Sequence, residues 1–169
     1  MTKNTIGFSL LVTFALILSG CEAVHKLTIG PAAQEYGEAW ASHDVDKIVS
    51  MHTEDSVFTM HFIGHQAATG RKEIRKAVER IFETAPDYKA EAQEVQFGAD
   101  FISFRYVATV TPTKPYQYGS TTFLPTGKTY QMELIDIITF EDGLVKSKHT
   151  YLDAEAVYRN SAEVQRAPL

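Results

Sequence analysis

The segment that most constrains this chain runs from Gly127 to Asp153, where two β-rich stretches meet at Asp142-Gly143. An Asp-Gly pair at such a junction is a strong hairpin signal, because the tight turn that matches strand twist needs positive φ at its central residues. Pairing about that centre sets residue 140 against 145, 138 against 147 and 136 against 149. Residues directly opposite share a face of the sheet. Asp136 then lies with Met132, Leu134, Ile138 and Phe140, across from His149, with Val145, Ser147 and Tyr151 on the same side. Gln131, Glu133 and Thr139 face the other way with Ile135 and Ile137, as do Lys146, Lys148 and Thr150. A lone carboxylate in an apolar row has two readings. It is a buried pair satisfied by His149, or, where the face lines a hollow, a general base raised by desolvation, with His149 orienting it or sharing its proton.

The first residues carry a different message. One lysine, Lys3, precedes an apolar run from Ile6 to Leu18, followed by Leu18-Ser19-Gly20-Cys21. A charged start, a short apolar core and a small-residue exit describe a secretory signal, too short for an ordinary membrane span. Its ending resembles the lipobox of bacterial lipoproteins, in which cleavage precedes the cysteine and that thiol is acylated. Cys21 is the single cysteine of the chain, which leaves no partner for an internal disulfide. Each buried methylene contributes about 0.8 kcal/mol, so several acyl chains hold firmly. The expected organisation is a signal peptide over 1–20, a lipid-anchored linker over 21–30, one domain over 31–160 and a tail over 161–169. The expected location is the bacterial cell envelope, anchored to a periplasm-facing leaflet or the cell surface. A net charge of −5 without a basic stripe argues against nucleic acid as a partner.

Within the domain, Pro31 suits the first turn of a helix reaching about Ser42, with Tyr36, Ala39, Trp40 and His43 on one side. Asp44 reads as the N-cap of a second, short helix with Val45, Ile48 and Val49 inward. A strand from Ser56 to Phe62 follows. Ile74, Ala77, Val78, Ile81 and Ala85 then recur at helical spacing from Gly70 until Pro86. The period next changes to two, over Tyr88 to Phe97 and Phe101 to Thr111. Residues Pro112 to Thr126, rich in Pro, Gly, Tyr and Thr, read as a loop, and Asp153 as the cap of a last helix. Helices first and antiparallel strands afterwards define an α+β domain, a cone-shaped curved antiparallel sheet wrapped around the N-terminal helices. Such a cone has an open end suited to one apolar pocket.

With these elements placed, the chain resembles a SnoaL-like member of the nuclear transport factor 2-like superfamily over roughly residues 32–160. The matching pieces are Ala39-Trp40-Ala41-Ser42-His43-Asp44, Asp55-Ser56-Val57-Phe58, Gly70-Arg71-Lys72-Glu73-Ile74, Pro125-Thr126-Gly127-Lys128, Asp136, Phe140-Glu141-Asp142-Gly143 and Tyr151-Leu152-Asp153. The resemblance implies a helix-filled conical sheet with a deep pocket, often dimerising through the sheet's outer face. In the polyketide-cyclase branch an aspartate on the strand before the Asp-Gly turn is the general acid/base, and Asp136 matches it. The chain departs from the family pattern at Leu144-Val145 and at Tyr158-Arg159-Asn160.

Other constellations carry less. His61 and His65 are four apart, but on a strand end and a loop, so no metal site is expected. Gly119 to Thr129 lacks the glycine spacing of a phosphate loop, and no nucleophile elbow or reactive cysteine is present for covalent acyl chemistry. Trp40, Phe58, Tyr106, Leu134 and Tyr151 are the candidate pocket residues. The sequence therefore points to a small apolar carbonyl-type molecule. Asp136 and His149 are the candidate acid-base pair of a cofactor-independent cyclase, isomerase or hydrolase, and Tyr151 or Tyr106 the donor to a developing oxyanion. The alternatives are a non-catalytic carrier and a structural envelope dimer.

Overall fold

The computed structural model describes residue 24 and residues 27–62 and 64–166. The segment expected to be a signal peptide, and Cys21, lie outside the described residues. Helix α1 spans 27–41, so it begins within the stretch expected to be linker, and it buries Ile29, Tyr36 and Ala39. Asp44 caps α2 (Val45–Ser50), its carboxylate accepting the Lys47 N–H at 2.9 Å. Strand β1 (His52–Met60) starts earlier than the apolar alternation suggests and pairs with the two-residue β2 (Ala68–Thr69). Helix α3 (Gly70–Thr84) fully buries Ile74 and Val78. Then come β3 (Lys89–Phe97) and β4 (Phe101–Val110).

The segment 112–126, read as a loop, contains β5 (Tyr116–Tyr118) and β6 (Thr121–Pro125). Their pairing is local, and it is held by aromatic stacking: the Tyr116 and Phe123 rings lie 5.4 Å apart, with Phe123 fully buried. Strands β7 (Tyr130–Glu141) and β8 (Leu144–Leu152) follow, then α4 (Ala154–Arg159), capped by Asp153 on the Ala156 N–H at 3.1 Å. The expected tail is instead a strand over its first part: β9 (Ser161–Arg166) pairs with β6.

The main sheet has the order β2-β1-β8-β7-β4-β3. Its pairs are antiparallel except β1 with β8. It curves around the helices, as expected for the α+β cone. A second sheet, β5-β6-β9, closes part of one end. One apolar cluster joins the helices to the sheet through Ile48, Ile74, Val78 and Val145; another, around Tyr106, Phe123, Tyr130, Met132 and Val157, fills the end near the small sheet.

The β7–β8 hairpin turns where expected. Asp142 and Gly143 have φ of 51° and 78° between the paired Glu141 and Leu144, the backbone of a tight turn with both central residues left-handed. The register then slips. Phe140 faces Val145, but Thr139 faces Ser147, which makes Lys146 an extra, unopposed residue. This β-bulge is held from outside, the Lys146 ammonium bonding both Asp55 oxygens at 2.9 and 2.8 Å and Glu141 at 3.2 Å. Beyond it every β8 side chain is on the opposite face from the uninterrupted register. His149 therefore lies opposite Ile137 and Tyr151 opposite Ile135, on the outer face, while Lys148 and Thr150 turn inward.

Candidate active site

Strand β7 buries alternate residues over most of its length, and the inward row reads Tyr130, Met132, Leu134, Asp136, Ile138, Phe140. Asp136 is 3% exposed. A carboxylate in such a row needs a countercharge and hydrogen bonds, and the register supplies Lys148, itself 4% exposed. Thr150 is directly opposite Asp136 and Lys148 opposite Ile138, so the lysine reaches the acid diagonally across the same face. Its Nζ is hydrogen-bonded and ion-paired to Asp136 Oδ2. The ammonium also lies 5.3 Å from the centre of the Trp40 ring and 5.5 Å from that of Phe58, where ring quadrupoles favour a cation.

Three polar atoms here have no hydrogen-bond partner among the described residues: Asp136 Oδ1, Thr150 Oγ1 and Trp40 Nε1. Buried polar atoms are nearly always satisfied, so three unsatisfied ones around one site mark where a bound molecule would supply the bonds. The space is present. A chamber of about 1140 Å³ lies between α1 and strands β3 and β4, with Tyr36, Trp40, Tyr88, Tyr106, Asp136 and Lys148 on its wall. A smaller one of about 110 Å³ sits toward the small sheet and shares Trp40, Tyr88, Tyr106 and Lys148 with it. Thr150 lines the small chamber and Asp136 the large one.

The groups around the pair are held neutral. Burial, reinforced by the negative charge of Asp136, pushes the phenols of Tyr36, Tyr88 and Tyr106 above their ordinary range, so they are hydrogen-bond donors and not phenolates. His52 is fully buried, with Nε2 2.9 Å from the Tyr36 hydroxyl and Nδ1 2.8 Å from Ser56 Oγ. Burial, then the charges of Lys148 and Arg71, lower its pKa to about 4. A neutral imidazole has one donor and one acceptor nitrogen, so it links the Tyr36 and Ser56 hydroxyls as a relay behind the cavity wall.

Of the residues expected at the site, the structure brings Asp136, Trp40, Tyr106, Phe58 and Leu134 to the two chambers. His149 and Tyr151 are not there. His149 Nδ1 lies 3.1 Å from His61 Nε2 on the outer face, and Tyr151, 46% exposed, stacks on His61 at 4.1 Å. The bulge accounts for both. Lys148 took the place expected of His149, and nothing in the run Lys146-Ser147-Lys148-His149-Thr150 is apolar enough to declare a face. Among the described residues no group of three His, Cys, Asp or Glu side chains is placed to hold a metal ion, and no helix is long and apolar enough to cross a membrane.

A helix-filled, curved sheet enclosing a buried acid beside an apolar hollow defines a class of small-molecule pocket proteins. Within it, this chain belongs to the SnoaL-like domain family, whose profile matches residues 33–148. No curated relative matches the sequence. Solved structures share the fold. A candidate SnoaL-like polyketide cyclase from Jannaschia sp. CCS1 superposes with a TM-score of 0.67 at 18% identity, over 84% of this chain and 96% of that one. IdmH, a candidate polyketide cyclase from Streptomyces antibioticus, gives 0.62 at 19%, over 78% and 96%. A protein of ketosteroid isomerase-like fold from Catenulispora acidiphila, in complex with trimethylamine, gives 0.63 at 13%, over 77% and 91%.

Two outcomes follow from the buried charges. Lys148→Met strands a buried carboxylate and is expected to lower stability by about 3–5 kcal/mol, whereas Asp136→Leu with Lys148→Met restores it to near the parent value; urea denaturation of the three proteins measures this. For His52, the unfolded chain binds a proton near the ordinary pKa of 6.5 and the folded chain only near 4. Stability is therefore complete above the upper value and declines as pH falls through that window, by roughly 3 kcal/mol in all. Denaturation midpoints recorded across the window should show this slope, and His52→Gln should flatten it.

Proposed function

We propose that this SnoaL-like domain binds a small apolar carbonyl compound and that Asp136 moves a proton on it. The observation that carries the reading is Asp136 Oδ1, a buried carboxylate oxygen without a close hydrogen-bond partner among the described residues, on a side chain that lines the large chamber beside the Tyr106 phenol. Lys148 occupies the other oxygen, fixing the carboxylate plane while leaving one lone-pair edge for the substrate. Oδ1 takes the proton from the carbon next to the carbonyl, and the electrons of the broken C–H bond pass to the carbonyl oxygen. That oxygen accepts a hydrogen bond from the phenol of Tyr106 or Tyr88, both protonated through burial. Asp136 then returns the proton to the same or another carbon, the pattern of an isomerase or of a cyclase whose enolate attacks within the same molecule.

A second reading, a carrier without chemistry, is favoured by the same ion pair, because the Lys148 ammonium already occupies one carboxylate oxygen and gives the pair a purely structural role. Proton exchange from deuterated water into activated ketones separates the two. A catalyst exchanges label and Asp136→Asn lowers the rate by at least about a hundredfold. A carrier shows no exchange in either protein and retains whatever apolar ligand co-purifies with it.

We also infer, from the charged start, apolar core and Leu18-Ser19-Gly20-Cys21 ending, that the domain is tethered to a bacterial envelope membrane by acylation of Cys21. Cys21→Ser is expected to move the protein from the membrane to the soluble fraction and to abolish incorporation of labelled palmitate; unchanged fractionation would refute the anchor.

A further inference from the structure

The small chamber contains a charge that proton transfer at Asp136 does not use. Arg80, on the third helix, lines its mouth together with His65. The other arginines whose side chains are described all meet carboxylates: Arg71 with Glu54 at 2.5 Å, Arg75 with Asp46 at 2.7 Å, Arg105 with Glu94 at 3.6 Å, and Arg159 with Glu155. Arg80 has neither a carboxylate nor a hydrogen-bond partner among the described residues. In a chain of net charge −5, a cation without a partner beside a cavity stands out.

The rest of the lining has the same polarity. Among the described residues no Asp or Glu borders the small chamber. Its polar side chains include Tyr118 and Tyr130, whose phenols burial raises and so keeps as donors, and Thr150, whose hydroxyl has no partner. Lys148 also borders it, but that charge is matched by Asp136. His65, partly buried and close to the Arg80 charge, has its pKa lowered by burial and then by that arginine, so at neutral pH it offers a ring N–H without competing for an anion. Apolar walls around one unmatched guanidinium focus its field into the cavity mouth, and a guanidinium fork matches the two oxygens of a carboxylate.

We propose that Arg80, assisted by His65, is an anion-reading site at the mouth of the small chamber, and that the molecule taken up is amphipathic, with an apolar body in the cavity and a carboxylate on Arg80. One guanidinium beside a neutral imidazole suits a monoanion better than a phosphate dianion. The assignment rests on the reading that the cavity takes a small molecule, and is independent of proton transfer by Asp136.

Trp40 is the single tryptophan of the chain and borders both chambers, so its fluorescence reports occupancy. The probes are phenylalkanoic acids of increasing chain length and their methyl esters, titrated against the full domain. At least one acid is expected to saturate the signal and bind about tenfold tighter than its ester, as a charge-assisted bidentate contact requires. Arg80→Gln removes that preference, and Arg80→Lys keeps part of it. Arg80 is exposed, so neither variant should alter the thermal unfolding midpoint. The proposal is overturned if acid and ester bind alike, if Arg80→Gln retains the preference, or if no acid saturates. Ketone exchange without acid preference refutes this site alone, while acid preference without exchange refutes only the catalytic reading.

Discussion

A carboxylate and an ammonium joined inside an apolar wall are the constraint to which the rest of this molecule is fitted. Neither charge is stable there alone, since removing a carboxylate or an ammonium from water costs several kcal/mol even after relaxation. The aromatic faces of Trp40 and Phe58 lie beside the ammonium, and the phenols of Tyr36, Tyr88 and Tyr106 stay protonated through burial, reinforced by the carboxylate. His52 is kept neutral behind them. The wall shared by the two chambers therefore holds a paired anion and cation among neutral donors, a fixed local dipole in an apolar space. Such preoriented dipoles act on a polar ligand more strongly than the same groups in water.

Much of this arrangement was legible in the residues because local rules and the global fold agree. Asp44 and Asp153 are caps at the expected helix starts, the spacing from Gly70 produces the long helix, and Asp142-Gly143 turns the hairpin. Asp136 faces inward because five apolar or aromatic neighbours on one strand, from Tyr130 to Phe140, leave no choice of face. The partner was not legible. On the facing strand the aliphatic residues sit at the ends, Leu144 and Val145 before the slip and Leu152 at the far end; the polar run between them fits either face equally well. A lysine in such a run reads as solvated by default, since lysines are almost never fully buried unless paired, and here the pair itself overrides the default.

Other omissions have comparable causes. The stretch around Tyr116 to Pro125 has the composition of a loop, and its strands are too short for periodicity to register; aromatic stacking and the arrival of residues 161–166 from the far end of the chain stabilise them. His52 follows directly on α2, but β1 begins there and turns it into the core, while Asp55 bonds Lys146 on the surface. At 13–19% identity the solved structures still share the fold, as expected when hydrophobic pattern rather than particular residues sets it.

The large chamber is bounded on one side by β3, which is the margin of its sheet, pairs only with β4, and is exposed over all but its last residue. Lys89, Glu91 and Glu94 protect that margin from pairing with another chain. The larger of the two chambers thus lies behind an edge strand of the main sheet, and edge elements open at a lower free energy than the whole domain. Parting of β3 from β4 would widen the chamber while β7 and β8, which carry the ion pair, keep a strand on either side, so that opening of the wall and loss of the buried charges are separate events.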